Sequence, residues 1–201
     1  MTNRRRGLQS SHLSPLPKYR TGLGFDAHEL VAGRQLMLGG VRIRSRLGLA
    51  GHSDADVLLH SLTDALLGSL ALPDIGTLFP DTDAQWKDAP SELMLKSAYE
   101  QVRARGYRLV NADCVLVCDH PKVAPHAAAI RESIARMLDV PVDRIGLKAK
   151  TTEGTLVALK YASVAAMVVV LVARTVAPGR SESPKSEDRR PKVGAGSAAH
   201  K

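Results

Sequence analysis

The chain has 201 residues, 44% of them apolar and 24% charged, with aromatics at only 3%. That suffices for one soluble domain whose core is built from Leu, Val, Ile and Ala rather than from rings. A net charge of +8 invites a nucleic-acid partner, but residues 1–20 carry +5 and residues 177–201 carry +3. Residues 21–176 are therefore formally neutral, and charge gives the folded core no reason to bind nucleic acid.

Residues 1–17, rich in Arg, Ser and Pro, read as a disordered basic leader. It lacks the apolar centre of a signal peptide, and no apolar run approaches the length of a membrane span. A cytoplasmic location without membrane contact is the expectation, with organellar import left open by the absence of acids in the leader. A strand is expected from about Tyr19 to Phe25, followed by a loop carrying Asp26 and His28. Side chains two apart on extended backbone share a face, so these two can hold one metal ion together. Gly22 and Gly24 would let backbone or substrate approach closely. Alone, an Asp-x-His pair is more often polar surface than a ligand pair. Gln35–Leu38 is a short strand ended by Gly39-Gly40, and Val41–Ile43 resumes after the turn.

Gly51-His52-Ser53-Asp54-Ala55-Asp56 opens the clearest helix, with Ser53 expected as N-cap and Asp56 at N3. Asp56, His60 and Asp64 follow at i, i+4 and i+8, so they share a face. That stripe is either a solvated surface or a third ligand, His60, flanked by carboxylates that support its ring. Asp26, His28 and His60 would make a three-ligand site with an open fourth position, the pattern of catalytic zinc. His52 and Ser53 at the helix start favour an anion such as phosphate.

Leu72–Asp83 is a loop rich in turn formers and carboxylates; Asp81, Asp83 and Glu153 are hard oxygen donors suited to magnesium or to hydroxyls. A helix is expected from Ser91 to Arg105 before Gly106, a strand over Tyr107–Val117 and a helix over Pro125–Leu138. The strand Ile145–Lys150 leads into Thr151-Thr152-Glu153-Gly154. Val164–Ala173, almost all β-branched or small, fits a strand buried on both faces or lying in an oligomer interface. Cys114 and Cys118, four apart in an apolar run, are too distant for a disulfide and read as reduced structural thiols. Residues 176–201 read as a disordered basic tail, leaving one α/β domain of about 155 residues at 18–175. There is no internal repeat or Walker-type loop, and Gly22-x-Gly24 lacks the rest of a dinucleotide fingerprint. A soft-metal site, a phosphate site and carboxylates together point to chemistry on a phosphorylated, polyhydroxylated small molecule.

Four segments in order carry a family resemblance: Gly24-Phe25-Asp26-Ala27-His28; His52 through Gly68; Asp74-Ile75-Gly76-x-Leu78-Phe79-Pro80-Asp81-Thr82-Asp83; and Lys148-Ala149-Lys150-Thr151-Thr152-Glu153. Over about residues 18–175 the chain resembles the 2-C-methyl-D-erythritol 2,4-cyclodiphosphate synthase family of the non-mevalonate isoprenoid pathway. The resemblance implies a homotrimer of ferredoxin-like α/β (α+β) subunits, each with a mixed or antiparallel sheet and helices on one face. It implies active sites at subunit interfaces and an enzyme of the phosphorus–oxygen lyase type. The substrate would be 4-diphosphocytidyl-2-C-methyl-D-erythritol 2-phosphate, whose own 2-phosphate attacks the β-phosphorus and releases CMP. One zinc per subunit would be held by Asp26, His28 and His60, and magnesium or manganese with the substrate diphosphate by Glu153. His52 and Thr151 match transition-state stabilisers. Asp74, Ile75 and Gly76 match ribose or erythritol contacts, and Phe79, Pro80, Asp81, Thr82 and Asp83 match the methylerythritol pocket. Cys118 through Ala124, including Lys122, match a cytidine-diphosphate pocket supplied by the neighbouring subunit. Asp26, Ala27, His28, His52, Ser53, Lys150, Thr151, Thr152, Glu153 and Lys160 complete the expected substrate contacts.

One segment departs from that pattern. After Thr-Thr-Glu the family usually reads Leu-Gly-Phe-x-Gly-Arg-x-Glu-Gly-Ile, and this chain has Thr155-Leu-Val-Ala-Leu-Lys160-Tyr-Ala-Ser-Val164. Lys160 keeps the charge of the usual Arg but loses its bidentate fork. A second reading rests on this segment: a catalytically weakened homologue that binds cytidine or isoprenoid phosphates.

Overall fold

The computed structural model describes residues 17–80, 82–86, 89–153 and 163–175. In chain order its main elements are β1 (Tyr19–Ala32), β2 (Leu36–Leu38), β3 (Val41–Ile43), β4 (Leu47–Leu49), α1 (Val57–Ser69), α2 (Ile75–Leu78), α3 (Ser91–Ala104), β5 (Tyr107–Cys118), α4 (Ala127–Leu138), β6 (Ile145–Lys150) and β7 (Ser163–Arg174). The sheet runs β4-β1-β7-β5-β6, and β2 and β3 form a separate hairpin.

Residue order along β1 sets the position of everything else. Gly22, Gly24, Asp26 and His28 turn toward the helical layer, while Tyr19, Leu23 and Phe25 turn away from it and stay exposed. A Cβ on Gly22 would lie 1.9 Å from the Ala65 carbonyl oxygen, and one on Gly24 would lie 1.9 Å from that of Ser61. These glycines therefore let α1 lie directly on the strand. Four helical residues advance about 6.0 Å and two strand residues about 6.8 Å, so helix and strand stay in step. The next residues on this face of β1, Asp26 and His28, meet the first turns of α1, where His60 stands.

β7 lies between β1 and β5, antiparallel to both, so β1 and β5 run parallel with a strand inserted between them. β5 and β6 pair directly in parallel, connected through α4. The sheet is thus mixed, one of the two forms expected, with β5 and β6 as its direct parallel pair. α1 packs on β1 and β7, α4 packs on β6, and α3 lies beside α1 and α4, giving an α+β domain with one helical face.

Several expectations change. β1 extends past Phe25 to Ala32, so Asp26 and His28 belong to the strand and not to a following loop. Its far end, Leu30–Ala32, is held by β4, a strand too short to carry a sequence pattern. Asp56, not Ser53, is the N-cap of α1, accepting hydrogen bonds from the Leu58 and Leu59 N–H groups. Its carboxylate also takes the Gly39 and Gly40 N–H groups, at 2.9 and 2.7 Å. A carboxylate fully buried among four N–H donors cannot belong to a solvated stripe. α4 begins at Ala127, after a 3-10 turn over Ala124–His126 that takes up Pro125. β7 is buried along its length on one face, where Val164, Ala166, Val168, Val170 and Val172 enter the core; on the other face Ala165 is buried, but Met167 and Val169 remain 46% and 45% exposed. The expected leader falls outside the described residues over 1–16, and the expected tail does so entirely.

Candidate metal centre

Asp26, His28 and His60 converge. His28 Nε2 lies 2.9 Å from Asp26 Oδ2, His60 Nδ1 lies 3.0 Å from the same oxygen, and the two ring nitrogens are 3.3 Å apart. Donors about 2.0–2.1 Å from one tetrahedral ion are about 3.3 Å from each other, so this triangle fits zinc or a similar divalent ion. The two-nitrogen, one-oxygen donor set is the second point of fit. Burial works against ionisation of Asp26, but the hydrogen bonds and charge of His28 and His60 outweigh it and hold the carboxyl well below the usual range. The Asp26 hydrogen bond raises His28, against the opposing effect of its own burial, and a backbone hydrogen bond at Ala50 adds to the rise.

The triangle opens into a cavity of about 320 Å³, lined by Phe25, Asp26, His28, His52, Ser53, His60, Asp64, Ile75, Gly76 and Phe79 among others. Three sequence segments expected at one site therefore meet in one chain. Ala27 points to the opposite sheet face and takes part through its backbone, donating its N–H to Asp26 Oδ1 at 2.8 Å. His52 is exposed at the rim, while Ser53 is buried and its hydroxyl accepts the Ala55 N–H. The first N–H groups of α1 are taken by Asp56, so the helix start is not the open anion site that the sequence suggested. Asp64 is also reassigned. It does not support the His60 ring but accepts the Ile75 N–H at 2.7 Å, which anchors the loop entering α2.

Asp74 caps α2 through Thr77 N–H, and Phe79 packs edge-on against Trp86, ring centres 4.9 Å apart. Trp86 lines the cavity and was missed. Its one signal is that it is the chain's single Trp, three residues past the loop already singled out. Pro80 is half-buried, Thr82 exposed, and Asp83 is engaged with Gln85 through both carboxylate oxygens. Asp81 and Lys160 lie outside the described residues, as does the whole departing segment 154–162.

The remaining expected residues stand elsewhere. Ala27 pairs with Ala165, Ala165 with Val117, and Val117 with Lys150. Three strand spacings separate Ala27 from Lys150, about 14 Å. Lys150, Thr151, Thr152 and Glu153 therefore form a second cluster, with Lys122 exposed on the loop after β5. Thr152 donates its N–H to Asp119 Oδ1 at 2.8 Å and its hydroxyl to Asp119 Oδ2 at 2.7 Å. Those bonds lower the Asp119 carboxyl. Asp119 falls within the Cys118–Ala124 segment expected at a nucleotide pocket, but no spacing rule links it to Thr152, 33 positions on. The Thr151 hydroxyl donates to the Glu153 carboxylate, and Glu153 holds a left-handed backbone at φ 51°. Cys118 is buried, with its thiol against the His120 and Pro121 carbonyls, so its side chain does not face an open nucleotide pocket in one subunit. Burial pushes the thiols of Cys114 and Cys118 up to about 12 and about 11, in keeping with structural roles.

The YgbB family model matches residues 19–173. The chain belongs to the YgbB family. Curated YgbB relatives include the 2-C-methyl-D-erythritol 2,4-cyclodiphosphate synthase of Aquifex aeolicus, 52% identical over 135 residues, covering 67% of this chain and 86% of that one. The enzyme of the same name from Geobacillus sp. is 48% identical over 154 residues, covering 77% and 98%. A solved structure of such a synthase in a CDP-bound form is similar at a TM-score of 0.71 and 47% identity, covering 76% of this chain and 99% of that one.

Proposed function

We propose that this chain is a metal-dependent phosphorus–oxygen lyase of isoprenoid precursor synthesis. It would convert 4-diphosphocytidyl-2-C-methyl-D-erythritol 2-phosphate to 2-C-methyl-D-erythritol 2,4-cyclodiphosphate and CMP. One new P–O bond joins the substrate's 2-phosphate to its β-phosphorus, and the anhydride bond to CMP breaks. The observation that carries the reading is the Asp26–His28–His60 triangle at the mouth of a cavity bounded by the 74–79 loop.

Both reacting groups are anionic, so the work is neutralisation and alignment rather than covalent catalysis. Asp26, His28 and His60 would hold zinc, which supplies Lewis-acid polarisation of the β-phosphate when bound. Exposed Glu153 offers a hard oxygen donor for magnesium or manganese with the diphosphate. His52 and Thr151 would bear on the charge that develops at the reacting phosphorus. Asp74, Ile75 and Gly76 would grip hydroxyls, and Phe79, Pro80, Asp81, Thr82 and Asp83 the methylerythritol unit. Lys150, Thr152, Lys122 and the Cys118–Ala124 loop would take the cytidine diphosphate end, and Ser53 would meet the substrate from the wall of the metal-side cavity.

We infer a homotrimer, with the second cluster of each site contributed by a neighbouring copy. Two observations support it: about 14 Å of sheet separates the clusters within one chain, and Leu23, Phe25, Met167 and Val169 leave an apolar sheet face uncovered. A cytoplasmic location fits a chain with no helix, among the described residues, long and apolar enough to cross a membrane. Residues 1–17 and 176–201 are read as basic extensions flanking the 18–175 domain.

Purified protein given the cytidyl substrate with zinc and magnesium should release CMP and a cyclic diphosphate, and His60→Ala should not. Tight CDP binding with negligible turnover would favour the weakened-homologue reading, which rests on Val157, Lys160 and Ala162. A linear product by mass spectrometry would mean a zinc hydrolase instead.

A further inference from the structure

His60 presents Nδ1 to Asp26 and His28 and turns Nε2 the other way, toward two hydroxyls: Ser91 Oγ at 2.9 Å and Ser53 Oγ at 3.2 Å. Ser91 opens α3, thirty-one residues from His60, and is fully buried. Its hydroxyl also contacts Asp54 Oδ1, and its backbone N–H donates to the same oxygen at 3.1 Å. Asp54 thus caps α3 from the loop before α1.

Proton counting then orders the chain of bonds. A carboxylate has no proton to give, so the single hydroxyl proton of Ser91 goes to Asp54. Ser91 can then only accept from His60 across their 2.9 Å contact, which puts the proton on Nε2. The Ser53 hydroxyl, which accepts the Ala55 N–H, turns its own proton to Ser91 Oγ at 3.4 Å. With a metal ion bound, Nδ1 would then offer its lone pair between Asp26 Oδ2 and His28 Nε2, the form a metal ligand needs. We propose that Ser91 and Asp54 are positioning residues for the metal centre, forming a His60 Nε2–H → Ser91 O–H → Asp54 carboxylate relay that fixes the ring's tautomer and orientation and strengthens Nδ1 as a ligand. Outer partners of this kind tune metal affinity in histidine sites. The inference rests on the metal-centre reading above. It replaces Asp56 and Asp64, the carboxylates that helical spacing suggested for this role.

The test uses the full chain, stripped of metal, and zinc competition against a chromophoric chelator, with the visible spectrum of bound cobalt(II) as a second readout. Ser91→Ala should weaken zinc binding about ten- to a hundredfold and shift the cobalt bands. Ser91→Thr, which keeps the hydroxyl, should restore both. Asp54→Asn retains an acceptor for the Ser91 N–H but removes the negative charge, and should weaken zinc in the same direction by a smaller factor. It carries the test if Ser91→Ala does not fold. Zinc affinity within about twofold of wild type and an unchanged cobalt spectrum in the folded variants would overturn the relay. Failure of the unmodified chain to take up either ion would overturn the centre itself, and the relay with it.

Discussion

The two clusters of expected site residues are built in opposite ways. The β1/α1 cluster stands on regular elements held face to face by Gly22 and Gly24, and its donors already lie 2.9–3.3 Å apart in a single chain. The cluster after β5 and β6 stands on strand ends and turns, with the Asp119–Thr152 clasp as its main tie. A metal site needs its donors placed within a few tenths of an ångström, which suits a helix packed on a strand. A site for a long nucleotide tolerates more adjustment and suits loops.

Gly24→Val should break the rigid side most severely. Its side chain would meet the Ser61 carbonyl at a position where even a Cβ lies 1.9 Å away. We expect a loss of about 3 kcal/mol or more in denaturant unfolding, with zinc uptake lost too. Met167→Lys separates the clusters without touching either. It places a charge on the exposed apolar face, so size-exclusion mass measurement should show smaller species that bind zinc but release little CMP. Asp119→Asn targets the loop side alone, raising KM for the cytidyl substrate about tenfold while zinc content stays unchanged. Because Thr152 holds the Asp119 carboxyl low, the clasp is intact above the ordinary carboxylate range. It fails only as pH falls through the depressed value, so substrate affinity should not change across the neutral range on its account. The smallest effect concerns the thiols. With Cys114 at about 12, roughly one molecule in 10⁴ is ionised at pH 8, so thiol reagents should label the native chain far more slowly than the unfolded one.

The same contrast explains what was legible beforehand. Asp26, His28 and His60 could be read as ligands because strand and helix periods put them on definite faces. Asp56 was misread because its partners, Gly39 and Gly40, come from a separate hairpin, and short-range spacing favoured Ser53 as the cap. Ser91 and Asp119 act across 31 and 33 residues, through contacts that only the packed fold creates. The β7 pattern was ambiguous between two-sided burial and an interface. A strand central in a one-layer sheet satisfies only one face, and Met167 and Val169 mark the other.

The central claim is that a working site joins the metal cluster of one copy to the loop cluster of the next. Subunit complementation tests it most directly. Chains bearing His60→Ala and chains bearing Glu153→Ala, each inactive alone, are co-assembled in equal amounts and assayed for CMP release. Random mixing should restore about one-quarter of wild-type specific activity, since that fraction of sites would pair an intact metal cluster with an intact loop cluster. A mixture no more active than either parent would contradict the account.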